Sequence, residues 1–155
     1  MSSIRVPYVP TPTGVAVEIL KRAGLKPGQI LIDAGAGECG VVIAASKVFN
    51  AVGIGIEKDP LLVKRCLSRI RSEGLIGRAY VVWGDILKFN YSIADVVYLY
   101  LGTDLNRELA PILLKTMRRG AKVVSHDFEI PGWKPVESGE VDGPLRRHKY
   151  FIYII

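Results

Sequence analysis

Five short apolar stretches punctuate the chain and read as strands: Gln29–Ala34, AVGIGIE over 51–57, RAYVVWGDI over 78–86, ADVVYLYLG over 94–102 and AKVVSHDFEI over 121–130. The first is apolar enough to be covered on both faces, the pattern of a central parallel strand. Helical patterns separate them. An alanine-containing run, VVIAAS, predicts a helix reaching Phe49, and Leu62, Val63, Cys66, Leu67 and Ile70 keep helical spacing behind an Asp59–Pro60 cap, up to Gly74. Residues 104–117 read as helical, with Pro111 breaking the run into two pieces. Strand and helix alternate four times, which predicts an α/β fold with an open parallel sheet, helices on both faces and right-handed crossovers. After Pro131 the rhythm stops, and VESGEV and HKYFIYII read as an antiparallel pair that closes the sheet at seven strands.

The first dozen residues hold Pro7, Pro10 and Pro12, which predicts an extended arm over 1–12 rather than a helix. Thr11 then reads as a helix cap with Pro12 at the first helical position. Val15, Val17, Ile19, Leu20 and Ala23 supply the apolar side of that helix, Lys21 and Arg22 favour its C-terminal end, and Gly24 stops it. No repeat, low-complexity segment or linker divides the chain, so residues 1–155 are expected to form one domain.

Length and charge narrow the possibilities. At 155 residues the chain is long enough for a substantial core and too short for a nucleotide domain plus a separate substrate domain. A composition of 49% hydrophobic and 23% charged residues predicts a chain folded throughout. The net charge of +6 permits an acidic partner without demanding one. Lys64, Arg65, Arg69, Arg71 and Arg78 read as the solvated face of a helix, whereas Arg118–Arg119 and Arg146–Arg147 sit in connections. Cys39 and Cys66 are too few and too differently placed to suggest a disulfide framework or a zinc site, so a reduced, cytoplasmic protein without a metal is expected. No signal-peptide core or membrane-length apolar run is present.

The candidate chemistry gathers in ILIDAGAGECG, residues 30–40, which formally matches GxGxxG at Gly35, Gly37 and Gly40. The stretch leaves a strand and opens a helix, and Glu57 ends the next strand, where it could hold the two hydroxyls of a ribose. Nicotinamide dinucleotides and S-adenosylmethionine both suit such a loop. Asp33 separates them, because a carboxylate at the end of the first strand repels a pyrophosphate and welcomes the α-ammonium and sulfonium of S-adenosylmethionine.

With an acid and then GxG at the end of strand one, the chain resembles the class I S-adenosylmethionine-dependent methyltransferases. PYVPTP, LIDAGAG, GIGIEKDP, DVVYLYL and VVSHDFEIPGWKP look like the small archaeal protein lysine methyltransferases and their mitochondrial relatives, and they span residues 7–135. The resemblance implies a single-domain Rossmann-like methyltransferase fold that uses S-adenosylmethionine and releases S-adenosylhomocysteine. It implies that Asp33, Gly35, Ala36 and Gly37 hold the methionine part of the cofactor, Glu57 with Lys58 the ribose, and Asp85 with Ile86 the adenine. Tyr8, Pro10 and Thr11 of the arm would fold over it beside the methyl group. The chain departs from the pattern at Cys39–Gly40, where similar proteins have glycine and then arginine, which predicts a tightened or distorted loop.

The implied reaction is N-methylation of protein lysine side chains. Deprotonating a lysine at pH 7 costs roughly 4–5 kcal/mol, so such an enzyme needs a narrow, dry channel. Tyr8, Tyr98, Tyr100 and Trp133 are the aromatic residues placed to line it, and His126 reads as structural. No NPPY-type turn follows strand four, where YLYLGTD stands, and no cysteine is placed there for attack on a pyrimidine. RNA or a small molecule remains the alternative substrate, and a binding module with a degenerate loop the non-enzymatic alternative. A monomer without membrane insertion is expected.

Overall fold

The apolar runs pair into a seven-stranded sheet of order β3-β2-β1-β4-β5-β7-β6 in the computed structural model, which describes residues 8–155. The strands β1 (Ile30–Ala34), β2 (Val52–Glu57), β3 (Ala79–Trp83), β4 (Val96–Leu99) and β5 (Lys122–His126) run parallel. The last two, β6 (Glu137–Asp142) and β7 (Arg147–Ile154), are antiparallel, with β7 inserted between β5 and β6. The order reverses between β1 and β4, so the crevice of the sheet opens at their carboxyl ends. There Asp33 lies in register with Gly55 of β2 and with Tyr98 of β4. The expected arm reaches into the described region only from Tyr8 onward; residues 1–7 lie outside it.

Alternate residues of β1 feed two cores. Leu31 packs with α1 (Thr13–Arg22) and α2 (Gly40–Phe49), while Ile32 packs on the opposite face with α4 (Thr103–Thr116). The remaining helix, α3 (Pro60–Ser72), meets α2 and β3 through Cys66 and Ile70. Close approach of α2 to β2 requires the glycines of GIGI. A Cβ on Gly53 would fall 2.5 Å from the Val42 carbonyl oxygen, and one on Gly55 2.5 Å from Ala36 Cβ.

Three expectations are corrected. Pro12, not Thr11, occupies the N-cap of α1, and no side chain caps that helix. Pro111 does not split α4, which is continuous with the proline inside it. Leu105 and Leu109 before the proline and Leu113 after it share one core. Burying such side chains contributes about 1.5–3 kcal/mol each, so the three together exceed the roughly 3 kcal/mol cost of an interior proline.

Third, Cys39 and Cys66 form a disulfide with their Cα atoms 5.2 Å apart. Spacing along the sequence conceals that the loop before α2 and the middle of α3 meet in space. Among the described residues no helix is long and apolar enough to cross a membrane.

The disulfide joins residues 27 apart, and restricting a loop of that size in the unfolded chain contributes about 3–4 kcal/mol. Reduction, or Cys66→Ser, should therefore lower the melting temperature by about 10 °C. An unchanged melting curve after verified reduction contradicts the bridge.

Candidate active site

The carboxyl ends of the central strands, the arm and the start of α2 enclose a cavity of about 610 Å3. Its floor is the loop leaving β1. Gly35 and Gly37 adopt φ of +85° and +58°, a region that glycine enters without strain, and the Gly35 and Ala36 N–H groups donate to the Ile56 carbonyl at 2.9 and 3.0 Å. A Cβ at position 37 would lie 2.1 Å from the Tyr8 ring, so glycine is needed there for the arm to close over the loop.

Cys39 takes a left-handed conformation, φ 68°, at the N-cap of α2, and Gly40 begins the helix. Cys39 itself supplies the positive φ at this point of the loop, and it is bonded to Cys66.

Glu57 holds the loop from the other side. Its Oε1 accepts from Gly37 N–H at 2.8 Å, and Oε2 accepts from the Lys58 and Asp59 N–H groups, both at 3.0 Å. Asp59 in turn caps α3 through Leu61 N–H. At the end of β3, Asp85 Oδ1 accepts from Leu87 N–H at 2.9 Å, and the Tyr91 hydroxyl donates to the Ile86 carbonyl at 2.6 Å. This wall is rigid.

Asp33 is different. It lines the cavity at 5% exposure, and no donor among the described residues bonds its carboxylate. Burial, with the nearby Glu57 charge second, pushes its carboxyl well above the usual range. A carboxylate so placed is stabilised by a cation, and the described residues supply none in contact.

Tyr98 and Tyr100 form the opposite wall. The Tyr98 hydroxyl lies 3.0 Å from His126 Nδ1, and His126 Nε2 lies 2.8 Å from His148 Nδ1. Burial lowers the His126 pKa to about 4, so the ring is neutral at pH 7. The phenol of Tyr98, pushed up by burial and by Asp33, keeps its proton. Neutral His126 accepts from Tyr98 at Nδ1 when its own proton sits on Nε2 and points to His148. In that tautomer the Tyr98 hydrogen points to His126, and the Tyr98 hydroxyl also meets the Thr11 side chain.

Tyr100 stacks on His126 with centroids 3.8 Å apart, and its hydroxyl accepts from Arg146 at 3.1 Å. Arg146 also forks both oxygens of Asp127, at 3.2 and 2.7 Å. His126, Asp127 and His148 bring three potential ligand atoms within 4.8 Å of one another. All three are already engaged, the imidazoles with each other and Asp127 with Arg146 and the Lys149 N–H, so the group braces the tyrosines.

Of the residues expected at the site, Tyr8, Pro10, Thr11, Asp33, Gly35, Ala36, Glu57, Lys58, Asp85, Ile86, Tyr98 and Tyr100 line the cavity. Gly37 sits beneath Tyr8, behind the lining. Trp133 does not reach it. Its ring packs edge-on against Tyr153, 5.6 Å away, in the core beneath α4.

Arg69, expected on a solvated face, is half-buried, lines the cavity and donates from Nη1 to the Glu38 carbonyl at 3.1 Å. His148 carried no site signal in the sequence and Arg146 only its place in a connection, since their roles depend on how the last hairpin returns beside β5.

A parallel sheet in this order, with an acid-glycine loop after its first strand and an acid ending its second, defines a Rossmann-like S-adenosylmethionine-dependent methyltransferase. Within that class the chain belongs to the ANTKMT methyltransferase domain family, whose model matches residues 33–137. It is 37% identical to a protein-lysine N-methyltransferase of Saccharolobus islandicus over 97% of this chain and 94% of that protein. It is 26% identical to the adenine nucleotide translocase lysine N-methyltransferase of Mus musculus over 86% of this chain, spanning 58% of that longer protein. A crystal structure of an RNA methyltransferase from Salinibacter ruber, with S-adenosyl-L-homocysteine bound, superposes with a TM-score of 0.88 at 35% identity, covering 95% of this chain and 94% of that one.

The Asp33 geometry has a measurable cost. A carboxyl whose pKa is raised by folding contributes stability that is fully present below its unfolded value and lost as pH rises through its folded value. The melting temperature of ligand-free Asp33→Asn, minus that of wild type, should grow as pH rises above about 4 and then level off. A difference independent of pH contradicts the burial of an unpaired carboxylate.

Proposed function

We propose that this protein is a protein-lysine N-methyltransferase, a cytoplasmic, single-domain monomer acting on accessible lysines of other proteins. The observation that carries the cofactor half of this reading is the buried, unpartnered Asp33 in a cavity floored by the glycine loop. S-adenosylmethionine, when bound, supplies an electrophilic methyl group on a sulfonium and a cationic α-amine.

The residues present fit it. Asp33 holds the α-ammonium, and the loop of Gly35, Ala36 and Gly37 provides close backbone approach. Among the described residues Glu57 Oε1 accepts one hydrogen bond, which leaves it capacity for a ribose hydroxyl, with Lys58 beside it. Asp85 keeps its second oxygen for the exocyclic amine of adenine, against Ile86. Tyr8, Pro10 and Thr11 cover the cofactor near its reacting end.

Methyl transfer is a displacement governed by alignment, so these residues act by positioning and by excluding water. Tyr98 and Tyr100 wall the acceptor channel, and Trp133 is left out of it. With His126 in the tautomer that takes the Tyr98 proton, the Tyr98 oxygen offers an acceptor to a lysine N–H and helps aim the nitrogen lone pair. A dry aromatic wall disfavours the ammonium form of the substrate, as the reaction requires. The 37% identity to an archaeal protein-lysine methyltransferase supports lysine as the acceptor.

Methylation of RNA is the second reading, favoured by the Salinibacter ruber structure and by the net charge of +6. Incubation with methyl-labelled cofactor and separated protein and RNA pools distinguishes the two. Label on protein lysine is expected, and label confined to RNA overturns the proposal. Tyr98→Phe should lower kcat about 3–10-fold, the worth of one hydrogen bond, with S-adenosylhomocysteine affinity unchanged; wild-type turnover removes Tyr98 from the site.

A further inference from the structure

A cofactor with an amino-acid end carries a carboxylate beside its α-ammonium, and Asp33, which attracts the ammonium, repels that carboxylate. A cation close to the loop would offset the repulsion. Among the described residues two cationic side chains line it, Lys58 and Arg69. Lys58 follows Glu57 at the end of β2, the ribose side, and precedes the cap of α3. Arg69 instead reaches from α3 to the loop itself, its Nη1 donating to the Glu38 carbonyl.

We propose that Arg69 is the partner of the cofactor's α-carboxylate, resting on the cofactor reading above. Four features of the chain converge on this. Gly40 has no side chain, and a Cβ there would stand 3.9 Å from Arg69 Nη1, so a larger residue would compete for the place the guanidinium takes. The N-cap of α2 makes no side-chain hydrogen bond, so no capping side chain takes up the N–H groups of its first turn. No carboxylate among the described residues forms an ion pair with Arg69, although Arg65, one turn earlier, pairs with Glu38.

The fourth is the Cys39–Cys66 bridge. Cys66 lies three residues before Arg69 on α3, hence on the same side of the helix, and its bond to Cys39 fixes α3 against the loop. Asp33 and Arg69 then form a charge pair complementary to a zwitterion.

Titration calorimetry with two ligands tests the assignment. S-adenosylhomocysteine has the carboxylate, and 5′-methylthioadenosine lacks the whole amino-acid end. Arg69→Ala should weaken the first roughly 10–100-fold, as for a lost charged hydrogen bond, and leave the second unchanged. Arg69→Lys should recover part of the loss. Equal weakening of both ligands, or undiminished affinity for S-adenosylhomocysteine, overturns the role of Arg69. Wild-type protein that bound neither ligand would instead remove the cofactor reading itself, and Arg69's role with it.

Discussion

A carboxylate buried at the end of the central strand without a donor is costly in any fold, and here the surrounding structure is arranged around that cost. Asp33 sits in register between Gly55 and Tyr98. Neither neighbour is bonded to it: glycine offers no side chain, and the Tyr98 hydroxyl lies against His126. The loop that follows uses its N–H groups on Ile56 and Glu57 instead. Under the proposed function the missing partner is the cofactor's ammonium, so the protein is least comfortable when empty and gains most from filling the site, a trade of stability for binding common at functional sites.

The walls are held by bonds behind the surface that the cofactor would meet. Glu57 ties the glycine loop to the start of α3, and the Cys39–Cys66 bridge repeats that tie on the other side of the loop. Behind the tyrosines, Arg146 grips Asp127 while His126 spans Tyr98 and His148, so both phenols are fixed by residues of β5, of β7 and of the turns next to them. The C-terminal hairpin thus closes the sheet and also braces the wall where a nucleophile would approach. Preorganised walls matter for a displacement, in which small errors of alignment reduce the rate steeply.

Much of this was legible in the sequence because strand ends are legible. Asp33, Glu57 and Asp85 each close an apolar run, and in a parallel sheet those ends converge, so type and position together point to one cavity. Other features depend on contacts that no local pattern encodes. Arg69 on a helix looks the same whether it meets water or a cavity, and two cysteines 27 residues apart reveal nothing of loops that meet in space. Trp133 follows Pro131 and Gly132, and the turn they make sends its ring into the core beside Tyr153 instead of the cavity. Pro111 misleads for an opposite reason: local chemistry forbids it, and the leucines on either side outweigh the local chemistry.

The central claim is that Asp33 waits for a cation which the cofactor brings. Carbon-13 NMR of the Asp33 carboxyl, titrated with and without saturating S-adenosylhomocysteine, measures this directly. The carboxyl should titrate well above the usual carboxylate range in the free protein and fall sharply when the ligand is bound. A titration that the ligand leaves unmoved would contradict it.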